Sequence, residues 1–149
     1  MKVVIQRSKK SNVKINNKTV GEIEKGLVVF LGVGKNDSIE DIDYLVNKII
    51  NLRIFEDDEG KMNNSLIDTN GEVLLVSQFT LYAETKKGRR PSFINAGAPD
   101  KAEEYYELFK DKLIKQGIIL QTGTFQTEME VNITNDGPVT IIIDTEDHK

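Results

Sequence analysis

The chain contains no cysteine and a single histidine, His148, one residue from its end. Without cysteine there is no disulfide framework, no thiol nucleophile and no thiolate metal site, a composition that suits a reducing cytoplasm. Without an imidazole in the body of the chain, Ser-His-Asp and Cys-His hydrolytic machinery drops out, as do zinc sites built from His and Cys. No apolar run approaches the ~20 residues that a membrane span needs, and Met1 to Lys10 lacks the apolar core of a signal peptide. A soluble, untargeted protein with no membrane partner is expected. The formal net charge of −4 argues against indiscriminate coating of nucleic acid, because phosphate neutralisation by Lys and Arg dominates such binding.

What is present reads as one domain over residues 1–149, long enough to bury about two-thirds of the surface its unfolded chain exposes. Residues 2–5, 13–15 and 19–23 are short β-type pieces, and Leu27 to Val33 is an apolar run suited to a strand covered on both faces. From Ser38 the period changes. Ile39, Ile42, Leu45, Val46, Ile49 and Ile50 form one stripe of a helix, with Ser38 as N-cap and Glu40 and Asp41 at the positive end of its dipole. Val73 to Val76 is a second buried strand. A second helix follows Pro99, with Asp100 as N-cap, Glu103 completing a capping box, and Tyr106, Phe109 and Leu113 as its buried stripe. Residues 118–120, 129–133 and 139–143 are the last strands, and 145–149 read as a frayed tail. The fold class is α+β: mixed and antiparallel sheets, barrel-like, with two main helices packed on one side.

Several motifs could carry chemistry. Gly32, Gly34 and Lys35 hint at a phosphate loop, yet Val29 stands where that loop needs glycine and Asn36 where it needs Ser or Thr. The acidic run Glu56, Asp57, Asp58, Glu59 lacks the ligand spacing of a calcium loop and reads as a solvated turn. Ser77, Gln78, Phe79 and Thr80 emerge from the end of a buried strand, where a rigid sheet fixes side chains while the strand end stays open. Lys86, Lys87, Arg89 and Arg90 flank Gly88, and a solvated loop is the ordinary explanation of such a run. Gly137 and Pro138 sit between two apolar runs where a hairpin turn would serve. Such a pair can also present two backbone carbonyls with no side chain in the way.

Taken together, Ser-Gln-Phe-Thr at 77–80, Lys-Gly-Arg-Arg-Pro-Ser-Phe at 87–93 and Asn-Asp-Gly-Pro-Val-Thr at 135–140 resemble the D-aminoacyl-tRNA deacylase family. The similarity runs from Val-Ile-Gln-Arg at 4–7, through Asn-Leu-Arg-Ile-Phe at 51–55, to Asp144. A related branch of the superfamily carries Pro and Ala in place of the Ser77 and Phe79 types, so the first motif favours the D-aminoacyl branch. The resemblance implies an enzyme without a cofactor or metal that hydrolyses the ester between a D-amino acid and the terminal ribose of tRNA, with glycyl-tRNA as a secondary substrate. It also implies a homodimer in which the Gly137-Pro138 turn, its peptide bond cis, enters the partner's site. Arg7 would hold that turn, and Lys86, Lys87, Arg89 and Arg90 would meet the acceptor-end phosphates.

On that reading the carbonyls of Gly137 and Pro138 accept from the substrate's α-ammonium and leave no room for an L side chain. Glycine has nothing to reject and passes. Backbone N–H groups near Phe79 and Thr80 would stabilise the oxyanion. The proton acceptor stays open: water assisted by the substrate's own ribose hydroxyl, with Ser77 and Gln78 positioning adenosine and ester, or Thr80 as nucleophile. Bland alternatives stand beside each role. Thr80 could be a structural hydroxyl, Phe79 a core aromatic and Arg7 a surface residue. Two other classes compete: a non-catalytic tRNA-end or protein-binding module, and a metal-dependent esterase using Asp57, Asp58 and Glu59.

Overall fold

Alternation decides the first layer. Along strand β1 (Lys2–Ser8), Val3 and Ile5 are fully buried while Lys2, Val4 and Gln6 are only half-buried, so one face of the strand meets the core. The computed structural model describes residues 1–149. After β1 come β2 (Ser11–Ile15), β3 (Lys18–Ile23), β4 (Gly26–Gly32), α1 (Ile39–Asn51), β5 (Phe55–Glu56), β6 (Met62–Asn64), β7 (Glu72–Ser77), α2 (Pro99–Lys115), β8 (Ile119–Thr122), β9 (Glu130–Asn132) and β10 (Asn135–Asp144).

The strands form a five-stranded sheet in the order β10-β1-β4-β7-β8, a three-stranded sheet β3-β2-β9 and a two-stranded ribbon β5-β6. In the large sheet β1 runs antiparallel to both β10 and β4, whereas β4, β7 and β8 run parallel to one another. Helices α1 and α2 cover one face, closing a core with Leu27, Val29, Leu31, Val73 and Leu75 beneath Leu45, Ile49 and Phe109. The three-stranded sheet covers the other face, where Val13 and Ile23 pack on Val28, Leu74 and Val76. The continuous apolar run of β4 thus serves two cores at once, as a strand covered on both faces must. Barrel-like closure is not reached: β10 and β8 are the two edges of the large sheet.

The α1 stripe is as its period requires, with Ile42, Leu45, Val46, Ile49 and Ile50 buried. Ser38 caps it, and Asp41 Oδ2 accepts from the Ser38 backbone N–H at 2.8 Å. In α2, Tyr106, Phe109 and Leu113 are the buried stripe, but the expected capping box at Asp100 does not form. Ala98 is the N-cap and Pro99 takes the first helical position, because its missing N–H is one that the first turn leaves unpaired anyway.

The strands expected at 129–133 and 139–143 do not pair with each other: β9 pairs with β2, while β10 pairs with β1, so the chain changes sheet between them. The tail does not fray. Residues Thr145–His148 form a 3-10 turn, with the Thr145 N–H donating to the Met1 carbonyl at 2.9 Å. The reason is a buried charge at the other end of the chain. The Met1 ammonium, fully buried, donates to Asp37 Oδ1 at 2.6 Å and to Thr145 Oγ1 at 2.7 Å. Breaking such a buried pair typically costs about 3–5 kcal/mol, so the contact ties both termini to the loop after β4.

Candidate active site

β7 ends at Ser77, and the Gln78 N–H continues its ladder by donating to the Leu31 carbonyl at 2.8 Å. The chain then folds into a 3-10 turn, Phe79–Tyr82, whose bonds run from Leu81 N–H to Gln78 C=O and from Ala83 N–H to Thr80 C=O. A turn of this kind leaves its first N–H groups, those of Phe79 and Thr80, without a partner inside it. Beside the turn opens a cavity of about 830 Å³ lined on one side by Ser77, Gln78 and Phe79.

The opposite wall was not legible in the sequence. Phe125, Gln126, Thr127 and Met129, from the loop between β8 and β9, complete the cavity, with Gly97 and Pro99 at the start of α2. Gln126 adopts φ +56°, a left-handed conformation uncommon outside glycine, at this wall. The only local signal was a polar stretch between two apolar strands.

Phe79 is not a core aromatic: it is 56% exposed, and its ring packs on Phe93 with centroids 4.9 Å apart. Thr80 is exposed, and its Oγ1 accepts from the Gln78 side-chain amide, which has no capacity to take a proton. His148 packs instead on Tyr44 of α1, ring centroids 4.9 Å apart. The Thr80 hydroxyl therefore has no activating base among its partners.

Phe93 belongs to the basic segment. A bridge between Glu84 and Ser92 closes that loop at its base, and Gly88, at φ +70° with open space around it, turns the tip. Lys86, Lys87, Arg89 and Arg90 are all exposed. Lys86 lies 3.8 Å from Glu84, while Lys87, Arg89 and Arg90 form no salt bridge. Past Phe93 the loop is pinned to the end of β4, with Lys35 N–H donating to Asn95 C=O and Gly97 N–H to Val33 C=O. Through Phe93, which packs on Phe79, the basic segment adjoins the cavity.

Gly137 and Pro138 lie elsewhere. Both are exposed, their peptide bond is cis, and they sit in the first part of β10, beside a register shift between Gln6 and Ser8. Arg7 is no surface residue. It is 6% exposed, donating from Nε to the Asp136 carbonyl at 2.8 Å and from Nη1 to the Ile54 carbonyl at 2.8 Å. Asn135 braces the same turn, its amide donating to the carbonyls of Arg7 and Val139.

Register places this turn and the cavity at opposite ends of the sheet. Arg7 pairs with Leu27, whereas Ser77 pairs with Leu31, four residues farther along β4. Four residues of rise and the three strand spacings from β10 to β7 come to about 13 Å and 14 Å, or roughly 20 Å in all. Within one chain, the site residues read from sequence fall into two groups that do not meet.

The acidic turn holds no open ligand set around Asp57. Its Oδ1 accepts from the N–H groups of Lys61 and Glu59, and the Lys61 N–H is the main reason its carboxyl lies below the ordinary range. No helix is long and apolar enough to cross a membrane.

Similarity to known proteins extends over nearly the whole chain. A D-aminoacyl-tRNA deacylase of Aquifex aeolicus (strain VF5) is 59% identical over 145 residues, covering 97% of this chain and 98% of the relative. One of Thermosipho melanesiensis is 53% identical over 146 residues, covering 97% of each. Among solved structures, one titled c-Myc DNA Unwinding Element Binding Protein superposes with a TM-score of 0.92 at 38% identity, over 97% of this chain and 98% of that one. Residues 4–144 match the family model described as D-Tyr-tRNA(Tyr) deacylase, and the chain belongs to that family.

Proposed function

We propose that this protein hydrolyses the ester joining a D-amino acid to the terminal ribose of tRNA, with glycyl-tRNA as a secondary substrate and L-aminoacyl-tRNA rejected. The observation that carries the reading is the cavity at the end of β7. Its lining includes Phe79, whose N–H, like that of the adjoining Thr80, has no partner within the 3-10 turn, and whose ring packs on Phe93 of the basic segment. Terminal adenosine enters between Phe79 and the Phe125–Thr127 wall, where base–aromatic stacking contributes about 1–3 kcal/mol. Ser77 and Gln78 hold the ester. Lys87, Arg89 and Arg90, unpaired by acids, meet acceptor-end phosphates, with Lys86 at the loop base.

In the reaction, a water oxygen adds to the ester carbonyl carbon, and its proton is relayed by the ribose hydroxyl next to the ester, which accepts it while passing its own proton to the ester's ribose oxygen. The oxyanion is held by the N–H groups of Phe79 and Thr80, a kind of donor worth about 100- to 1000-fold in rate each. Collapse breaks the bond to the ribose oxygen, which leaves with the proton, giving free D-amino acid and tRNA.

Selection falls to Gly137 and Pro138, whose carbonyls accept from the α-ammonium and occupy the space an L side chain would need. Their separation from the cavity of their own chain by roughly 20 Å supports a homodimer in which each turn, held by Arg7, completes the partner's site. The protein acts in the cytoplasm, where charged tRNA is found.

Release of free amino acid from D-tyrosyl-, L-tyrosyl- and glycyl-tRNA, with and without EDTA, tests the reading. Hydrolysis of the D and glycyl esters that survives EDTA is expected. Binding without turnover would identify a tRNA-end-binding module instead, and loss with EDTA a metal-dependent esterase.

A further inference from the structure

Gly32 and Gly34 look like the remnant of a phosphate loop in the sequence, but their surroundings give them another task. The Tyr82 side chain, from the last residue of the 3-10 turn, lies across the end of β4 over both glycines. A Cβ on Gly34 would stand 2.5 Å from the Tyr82 hydroxyl oxygen and 2.7 Å from Cζ. A Cβ on Gly32 would stand 3.1 Å from Leu81 Cβ and 3.1 Å from the Gln78 carbonyl oxygen. Contacts this tight with a backbone carbonyl and an aromatic ring force the ring or the turn to shift.

The other faces of the ring are also fixed. Lys2 Nζ stands 5.0 Å from its centroid, in cation–π position. The hydroxyl lies 3.4 Å from Asp37 Oδ2, at the long limit of a hydrogen bond, so the seat is chiefly steric. Asp37 is itself immobilised by the Met1 ammonium and by the Gly34 N–H at 2.6 Å. Burial, with the Asp37 carboxylate next, holds the Tyr82 phenol above its ordinary pKa, so the ring stays neutral.

We propose that Gly32, Gly34 and Tyr82 form a seat that fixes the height of the 3-10 turn, which makes Tyr82 a positioning residue for the N–H groups of Phe79 and Thr80. The inference rests on the proposed hydrolysis, in which those N–H groups hold the oxyanion. Tyr82 does not line the cavity and touches no substrate. It acts through the turn: only Thr80 and Leu81 separate it from Phe79, and the bond from Leu81 N–H to Gln78 C=O transmits its position. A ring without its seat, or a seat without its ring, lets the donors drift from where negative charge develops, while the Phe125–Thr127 wall stays in place and the Phe79 ring keeps its contact with Phe93.

Steady-state kinetics with D-tyrosyl-tRNA on wild type, Tyr82→Phe, Tyr82→Ala and Gly34→Ala test this. Tyr82→Phe keeps the ring and is expected to stay within about threefold of wild type, whereas Tyr82→Ala and Gly34→Ala lose about 10- to 100-fold in kcat with KM changed less than about threefold. Should Gly34→Ala fail to fold, the Tyr82→Phe and Tyr82→Ala pair decides alone. Wild-type kcat in Tyr82→Ala, a loss expressed in KM, or Tyr82→Phe as poor as Tyr82→Ala would each overturn the seat. Absence of turnover by wild type would instead overturn the hydrolytic reading on which it rests.

Discussion

Arg7 Nε donates to the Asp136 backbone carbonyl at 2.8 Å from a guanidinium that is almost wholly buried. Nη1 of the same group reaches the Ile54 carbonyl at 2.8 Å, so one planar fork joins the Gly137-Pro138 turn to the chain between α1 and β5. Lysine has the charge but not the fork. Arg7→Lys is expected to lower stability by about 1.5–3 kcal/mol, the usual worth of a hydrogen bond to a charged group. Denaturant unfolding measures that term. The same variant is expected to lower kcat/KM for D-aminoacyl-tRNA at least tenfold, about 1.4 kcal/mol or more of transition-state stabilisation. Activity at the wild-type level would mean that the turn keeps its place without Arg7.

The Asp41 carboxyl links pH to stability. Burial raises its pKa, but the Ser38 N–H, the Thr145 hydroxyl, the chain's α-ammonium and Lys149 together outweigh that and hold it below the ordinary value. A depressed carboxylate stabilises the fold above its unfolded pKa of about 3.9 and loses that contribution as pH falls through the folded value. The stability difference between wild type and Asp41→Asn is therefore expected to be full at pH 7 and to shrink towards pH 3. A difference independent of pH would assign Asp41 a purely steric role.

The basic loop is expected to contribute affinity without chirality. Replacing Lys87, Arg89 and Arg90 together by Ala should raise KM for aminoacyl-tRNA and flatten its dependence on salt, with a log–log slope lower by about two units. The ratio of D to L cleavage should stay unchanged, because the loop meets phosphates while the Gly137 and Pro138 carbonyls read the α-carbon. A change in that ratio would contradict the division of roles.

Exchange of turns between subunits has a direct genetic test. A Cβ on Gly137 would collide with the Val139 amide nitrogen, so Gly137→Ala displaces the turn, while Gln78→Ala spoils the cavity. Each variant alone should be nearly inactive. Mixed and allowed to exchange subunits, they form heterodimers in which one of two sites has both parts intact, recovering about a quarter of the wild-type rate. No recovery after verified exchange would place turn and cavity in the same chain.

Much of this was legible from residue order, for identifiable reasons. The α1 stripe and the α2 stripe at Tyr106, Phe109 and Leu113 follow from helical period alone, and β4 declared itself by being apolar on both faces. Ser77 to Phe79 could be placed at the cavity because a buried strand must end somewhere open. The Phe125–Thr127 wall could not, since its position depends on β9 pairing with β2, more than a hundred residues away. The docked tail and its partner Asp37 were hidden for a different reason: the charge that holds them is the chain's own α-ammonium, which no side-chain pattern reveals. Asp100 misled because Pro99 pre-empted the first helical position.

Chirality is the central claim, and the initial rate of free tyrosine release from D-tyrosyl-tRNA against L-tyrosyl-tRNA, at equal enzyme and substrate, tests it most directly. We expect rapid release from the D ester and none above the uncatalysed background from the L ester, with glycyl-tRNA cleaved between them. Equal release from both tyrosyl esters would contradict selection by the Gly137 and Pro138 carbonyls.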